Sequence, residues 1–173
     1  DPILLPKGSH KTDWEVELGV IIGRECEYVS EAQALDYVAG YCTINDVSER
    51  SFQIERGGQW IKGKSARNFG PIGPWIVTPD EVGDPQSLLL NLSVNGQTYQ
   101  DSSTEDMIFS VAEIVSYMSR FMPLKPGDII ATGTPEGVGL GLSPPKFLRD
   151  GDIVELSVAG LGSQRQSVKA LEI

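Results

Sequence analysis

A β-rich α+β domain is the fold class this sequence predicts, and three features predict it. Nineteen glycines and eleven prolines in 173 residues mean frequent turns, which suits short strands better than a helical bundle. Several segments alternate apolar and polar residues at period two. Only one stretch, opening at Ser110, carries a sustained helical period.

Each element can be justified in turn. Thr12 to Gly23, TDWEVELGVIIG, reads as a strand with Trp14, Val16, Leu18, Val20 and Ile22 on one face. Its other face begins with two acids, Glu15 and Glu17, then turns apolar at Gly19 and Ile21. SEAQALDYVAGY predicts a short helix capped at Ser30, with Ala32, Leu35 and Val38 inward. VAGYCTINDVS is again strand-like and ends among polar residues. From Arg50 to Pro74 the chain is rich in Gly and Pro without steady period, which reads as loop.

LLLNLSVNGQTYQ is a hairpin, with Leu90, Leu92 and Val94 alternating and Asn95-Gly96 supplying the φ > 0 turn. SVAEIVSYMSRFMPLKPGD is a helix opened by a Ser110-x-x-Glu113 capping box and closed by Pro123. Val111, Ile114, Val115, Met118, Phe121 and Met122 form its expected core face. GDIIATGTPEGVG runs from a strand into a glycine turn, and GDIVELSVAGLG with RQSVKALEI closes the chain as an antiparallel pair. With no internal repeat, low-complexity tract or linker, residues 1–173 read as a single domain.

Composition removes several function classes. A net charge of −10 disfavours a nucleic-acid partner, because binding phosphates requires Lys and Arg to neutralise them. No basic cluster would recruit anionic lipid. No apolar run approaches the length of a membrane span, and DPILLPKGSHKTD lacks the order of a signal peptide. The expected location is cytoplasmic. Cys26 and Cys42 follow no metal-ligand spacing and read as reduced packing residues.

The acids carry the chemistry. Glu15 and Glu17, at i and i+2 of a strand, point the same way about 7 Å apart. Two like charges brought together raise each other's pKa unless a cation or donors stand between them. Ile44 precedes Asn45 and Asp46, so a second strand delivers a third carboxylate at its end. Three carboxylates make a hard-oxygen site suited to Mg²⁺, and a chain with one histidine, His10, cannot build a histidine-rich zinc or iron site. Spacing alone leaves another reading open, in which Glu15 and Glu17 face solvent and Asp46 caps a turn.

DWEVELGVIIG, GYCTINDVSERSFQ, GQWIKGKS, FGPIGPW and TGTPEGVG, in this order and at these separations, resemble the fumarylacetoacetate hydrolase family from about Thr12 onward. The resemblance implies a catalytic domain of the mixed β-sandwich roll type seen in that family's C-terminal half. It implies a homodimer that holds Mg²⁺ or Mn²⁺ on Glu-x-Glu plus a later Asp. Position by position, the implied metal ligands are Glu15, Glu17 and Asp46. Arg50 and Gln53 are the implied contacts to a substrate carboxylate, Lys64 the catalytic and substrate-binding cation, and Thr134 a contact to the bound acid. The family's N-terminal region, which carries the His and Glu of a mobile lid, is expected to be absent from this sequence.

Each implied role has a physical counterpart. Arg50 offers a planar fork of donors that suits a carboxylate. Lys64, in the small-residue loop KGKS, brings a compact ammonium that could approach an enolate oxygen, with Lys62 as its solvated neighbour. The turn GTPEGVG lacks the Gly-Lys-Ser/Thr of a nucleotide loop, and its glycines let backbone N–H groups approach an anion. Arg67 and Asn68 stand where the family often has Asp and Thr, which suggests a more anionic ligand.

The implied reaction is hydrolysis of a 2,4-dioxo acid, an acylpyruvate or a 2,4-diketo-3-deoxy sugar acid, at its C3–C4 bond. The products are pyruvate and a second acid such as lactate. ERGGQWIKGKS and PPKFLRDGD are most similar to the sugar-acid branch, which includes 2,4-diketo-3-deoxy-L-rhamnonate hydrolases. Two rival readings use the same metal site. One is an oxaloacetate decarboxylase, or a dehydratase or isomerase of oxo acids. The other is a non-catalytic module that binds metal and oxo acid. In every case the partner is a small 2-oxo acid.

Overall fold

The computed structural model of the chain describes residues 1–172. In chain order its elements are β1 (Ile3–Leu5), β2 (Thr12–Asp13), β3 (Val16–Ile22), α1 (Glu31–Ala34), β4 (Val38–Asn45), β5 (Ser48–Glu49), α2 (Arg50–Ile54) and α3 (Ile61–Lys64). There follow α4 (Pro79–Val82), β6 (Leu89–Val94), β7 (Gln97–Ser103), α5 (Val111–Met118), β8 (Ile129–Ala131), β9 (Ile153–Val158) and β10 (Ser163–Ala170). This is the expected β-rich α+β arrangement.

Among the described residues three sheets are formed. One has the order β1-β10-β9-β6-β7, with β1 parallel to β10 and the other neighbours antiparallel. The second has the order β4-β3-β8 and is antiparallel, and β2 pairs with β5 in the third. The short strand β1 lies in an N-terminal run whose only sequence signal is Ile3-Leu4-Leu5 between two prolines. Three residues are too few for a periodicity to register.

The alternation in β3 has two different outcomes on its two faces. Val16, Leu18, Val20 and Ile22 enter the main core with Leu90, Leu92, Val154, Leu156 and Val158 of the five-stranded sheet and Val111 and Val115 of α5. The opposite face is also buried and turns apolar because Ile21 joins Cys42 and Ile44 of β4 in a second small cluster. Gly19 is required there. A β-carbon at that position would meet Cys42 Sγ and Ile44 Cδ1 at 2.6 Å. The two acids of this strand are therefore held at one end of a packed face.

The hairpin and the capping box are realised as read. Asn95 and Gly96 take positive φ between β6 and β7, and Ser110 and Glu113 cap each other at the start of α5. Three expectations are corrected. The helix at Ser30 is a single turn with no side-chain cap, and the 3-10 turn Leu35–Tyr37 that follows winds at about three residues per turn. Its inward residues are accordingly Ala34 and Val38, while Ala32 and Leu35 are exposed. In α5 the helix stops at Met118, so Phe121 and Met122 are exposed and Leu124, paired with Cys26, fills the core instead. The segment from Arg50 to Pro74 contains α2 and α3, each too short to show a period.

Candidate metal centre

Antiparallel pairing of β3 with β4 sets Val16 opposite Asn45 and Glu17 opposite Ile44. That register brings Glu15, just before β3, beside Asp46, just after β4. Two hydrogen bonds stitch the corner: Asp46 N–H donates to the Glu15 carbonyl at 2.9 Å, and Glu15 N–H donates to Asn45 Oδ1 at 3.2 Å. Glu15 and Glu17 are 7% and 2% exposed. One carboxylate oxygen from each of Glu15, Glu17 and Asp46 lies within 4.8 Å of the others. Adjacent oxygens on an octahedral Mg²⁺ at about 2.1 Å stand about 3 Å apart, so side-chain rotation must draw these oxygens closer by up to about 2 Å for all three to share one ion. The open reading of solvent-facing acids does not describe this corner.

Lys64 closes the cluster. Its Nζ lies 2.7 Å from Glu15 Oε2 and 2.6 Å from Asp46 Oδ2. It arrives there at the end of α3, which packs closely on α2: a β-carbon on Gly63 would meet Gln53 Cβ at 2.6 Å and the Glu49 carbonyl at 2.8 Å. Lys62 is exposed and donates to the Arg56 carbonyl. Arg50, the first residue of α2, is buried. Its Nε donates to Asp13 Oδ2 at 2.9 Å, its Nη2 lies 2.7 Å from Glu15 Oε1, and its Nη1 donates to Gln53 Oε1 at 3.1 Å.

Glu49 anchors that helix. Its fully buried carboxylate accepts from Ser51 N–H, Lys11 N–H and Thr12 Oγ1, with a further short contact to Ser9 Oγ. Burial works against this charge, but hydrogen bonds from Ser51, Ser9 and Thr12 hold its pKa below the ordinary value.

The charges at the cluster are strongly perturbed. Burial pushes Glu17 up to about 8, with the Asp46 and Glu15 charges adding to it and the Gly133 N–H opposing it. Burial also raises Asp46, against the pull of Lys64. The Lys64 ammonium is disfavoured by burial, yet Glu15 and Asp46 more than compensate and raise its pKa. Such a set of convergent hard oxygens fits Mg²⁺ or Mn²⁺.

The turn after β8 forms one wall. Gly133 N–H donates to Glu17 Oε2 at 2.9 Å. Thr134 Oγ1 donates to the Val16 carbonyl at 2.9 Å and accepts from Gln100 Nε2 at 2.8 Å. Asn68 sends its Nδ2 to the Pro2 carbonyl, and Arg67 is exposed. A cavity of about 590 Å³ is lined by Thr132 to Glu136 together with Leu18, Leu90, Ile108 and Phe109. None of the three carboxylates lines it; it lies on the Leu18 side of β3.

Two residues of this neighbourhood escape sequence reasoning. Gln100, fully buried, accepts from Val16 N–H and donates to the Thr134 turn. Nothing in QTYQDS marks it out. Asp13, also fully buried, extends the Glu15, Glu17 spacing by one step at period two, and that was a usable signal.

Comparison with known proteins gives a family and related structures. Residues 1–169 match the family described as fumarylacetoacetate (FAA) hydrolase C-terminal. A Burkholderia multivorans protein that carries a provisional hydrolase name is 61% identical over 171 residues, which is 98% of this chain and 61% of that protein. The chain therefore spans about three fifths of the length of such relatives. Among solved structures, fumarylacetoacetate hydrolase from Exiguobacterium antarcticum is 43% identical with a TM-score of 0.95, over 99% of this chain and 61% of that one. The 2-hydroxyhepta-2,4-diene-1,7-dioate isomerase of Mycobacterium marinum is 41% identical with a TM-score of 0.89, over 99% and 64% of the two chains. Fumarylpyruvate hydrolase of Pseudomonas aeruginosa, solved with Mn²⁺ and pyruvate, is 34% identical with a TM-score of 0.89, over 98% and 71%.

Proposed function

We propose that this chain, which belongs to the fumarylacetoacetate hydrolase family, is the metal-dependent catalytic domain of a hydrolase that cleaves the C3–C4 bond of a 2,4-dioxo acid. The observation that carries the reading is the convergence of Glu15, Glu17 and Asp46, with the Lys64 ammonium between two of them. Mg²⁺ or Mn²⁺ held by those three carboxylates would supply Lewis acidity toward the carboxylate and keto oxygens of an α-oxo acid.

The chain's own residues would do the rest. Lys64 places positive charge where electrons accumulate as the C3–C4 bond breaks, and it offsets the repulsion that an anionic substrate meets in an acidic protein. Arg50 and Gln53, the pair that the family resemblance assigns to the substrate carboxylate, are hydrogen-bonded to each other beside Glu15. Thr134 presents a turn whose backbone is set by Val16 and Gln100. Water adds to the C4 carbonyl, the C3–C4 bonding pair leaves with the pyruvate half, and C3 then takes a proton. Residues 1–173 would serve as one catalytic domain in a cytoplasmic homodimer. The similarity of ERGGQWIKGKS and PPKFLRDGD to the sugar-acid branch favours a 2,4-diketo-3-deoxy sugar acid, giving pyruvate and lactate.

Isomerisation of an oxo acid is the second reading, supported by the likeness to the Mycobacterium marinum isomerase. Pyruvate release from a panel of acylpyruvates, with and without Mg²⁺, distinguishes them. Metal-dependent pyruvate is expected, and its loss in Glu15→Gln. An isomerised product without pyruvate would select the second reading, and CO₂ from oxaloacetate would select decarboxylation.

A further inference from the structure

Asp13 is not one of the three carboxylates of the candidate metal centre, yet it is fully buried and collects four hydrogen bonds. Trp14 N–H donates to Oδ1 at 2.9 Å, Gly139 N–H to Oδ1 at 2.6 Å, Leu140 N–H to Oδ2 at 2.9 Å and Arg50 Nε to Oδ2 at 2.9 Å. Arg50 in turn reaches Glu15 Oε1 at 2.7 Å. A single side chain thus ties the segment after the Thr134 turn to the guanidinium that braces Glu15.

Two physical arguments give this chain of contacts a purpose. A carboxylate ligand is useful to a cation only if its oxygens are aimed, and the partners behind a ligand do the aiming. Arg50 also carries a full positive charge into the neighbourhood of a dication. Unless that charge is matched, it repels the metal. Asp13 matches it and takes Nε, which turns the Nη2 edge toward Glu15. Lysine at position 50 would bring a single point charge and lose the separate Nε and Nη2 donors that Arg50 directs to Asp13 and Glu15.

We propose that Asp13 is a positioning residue that acts through Arg50 to orient Glu15 and to set the affinity of the site for a divalent cation. The inference rests on the reading of Glu15, Glu17 and Asp46 as a metal centre.

Mn²⁺ affinity, measured by calorimetry and by the electron paramagnetic resonance of free Mn²⁺, tests it in wild type, Asp13→Asn, Arg50→Lys and the double variant. Each single change is expected to weaken Mn²⁺ binding by about 10–100-fold, the range typical for groups behind metal ligands. The double variant should bind no more weakly than the weaker single one, because both changes break one relay. Leu92→Ala, a core truncation with no part in the site, should lower the melting temperature and leave Mn²⁺ binding unchanged.

Should Asp13→Asn fail to fold, Arg50→Lys decides, since it leaves Asp13 its three backbone donors. Unchanged Mn²⁺ affinity in Arg50→Lys, additive losses in the double variant, or an equal loss in Leu92→Ala would overturn the role of Asp13. Failure of the wild type to bind Mn²⁺ would instead remove the metal centre itself.

Discussion

Glu17 is a buried carboxylic acid beside two other acids. Burial among β3, β4 and the Gly133 turn pushes its pKa up to about 8, so the metal-free protein carries a proton there at neutral pH. A cation needs the carboxylate and must displace that proton. Divalent-metal affinity should therefore rise with pH, by up to about tenfold per unit below pH 8, and level off above it. Mn²⁺ titrations in buffers of different ionisation enthalpy read the released proton directly, and a flat affinity from about pH 6 to about pH 8 would refute the account. The same shift has a consequence for stability. The folded state holds this proton more tightly than the unfolded chain, so the metal-free protein loses stability as pH climbs from 4.5 to about 8. A bound cation should reverse that trend.

At the scale of elements, the cluster depends on how closely α3 approaches α2. Gly63 to alanine inside a helix ordinarily stabilises by up to about 1 kcal/mol. Here the added methyl would meet the Glu49 carbonyl at 2.8 Å, and a backbone oxygen of a capped helix start cannot easily give way. Gly63→Ala should accordingly destabilise by about 1–3 kcal/mol, the cost of overpacking. Urea unfolding reads the sign, and a gain in stability would show that α3 is free to shift. The same contact explains why the region resisted sequence reading. Lys64 is useful because α3 is pinned through Gly63, whereas the letters KGKS surrounded by Gly and Pro carry only the signature of a loop.

The whole molecule leaves Trp60, Ile61, Ile72, Trp75 and Ile76 each more than half exposed. Exposed large apolar side chains are candidate contacts for a protein partner. For the proposed homodimer, sedimentation at micromolar concentration should return twice 18.8 kDa, and Trp75→Ala with Ile76→Ser should shift the mass toward the monomer. A wild-type monomer at those concentrations would count against the dimer. Among the described residues no helix is long and apolar enough to cross a membrane.

Local chemistry was enough for some of this protein. Period-two alternation located β3, β6 and β9, the Asn95-Gly96 pair set the hairpin, Ser110 and Glu113 set the helix start, and two acids at period two with a third at the end of a strand flagged the candidate metal centre. These signals are short-range and survive in a string of letters. The positions of Lys64, Arg50, Asp13 and Gln100 were decided only by tertiary structure. Each is aimed by a partner on a different element, and a buried charge declares its role only when its counter-charge and its distance from water are known.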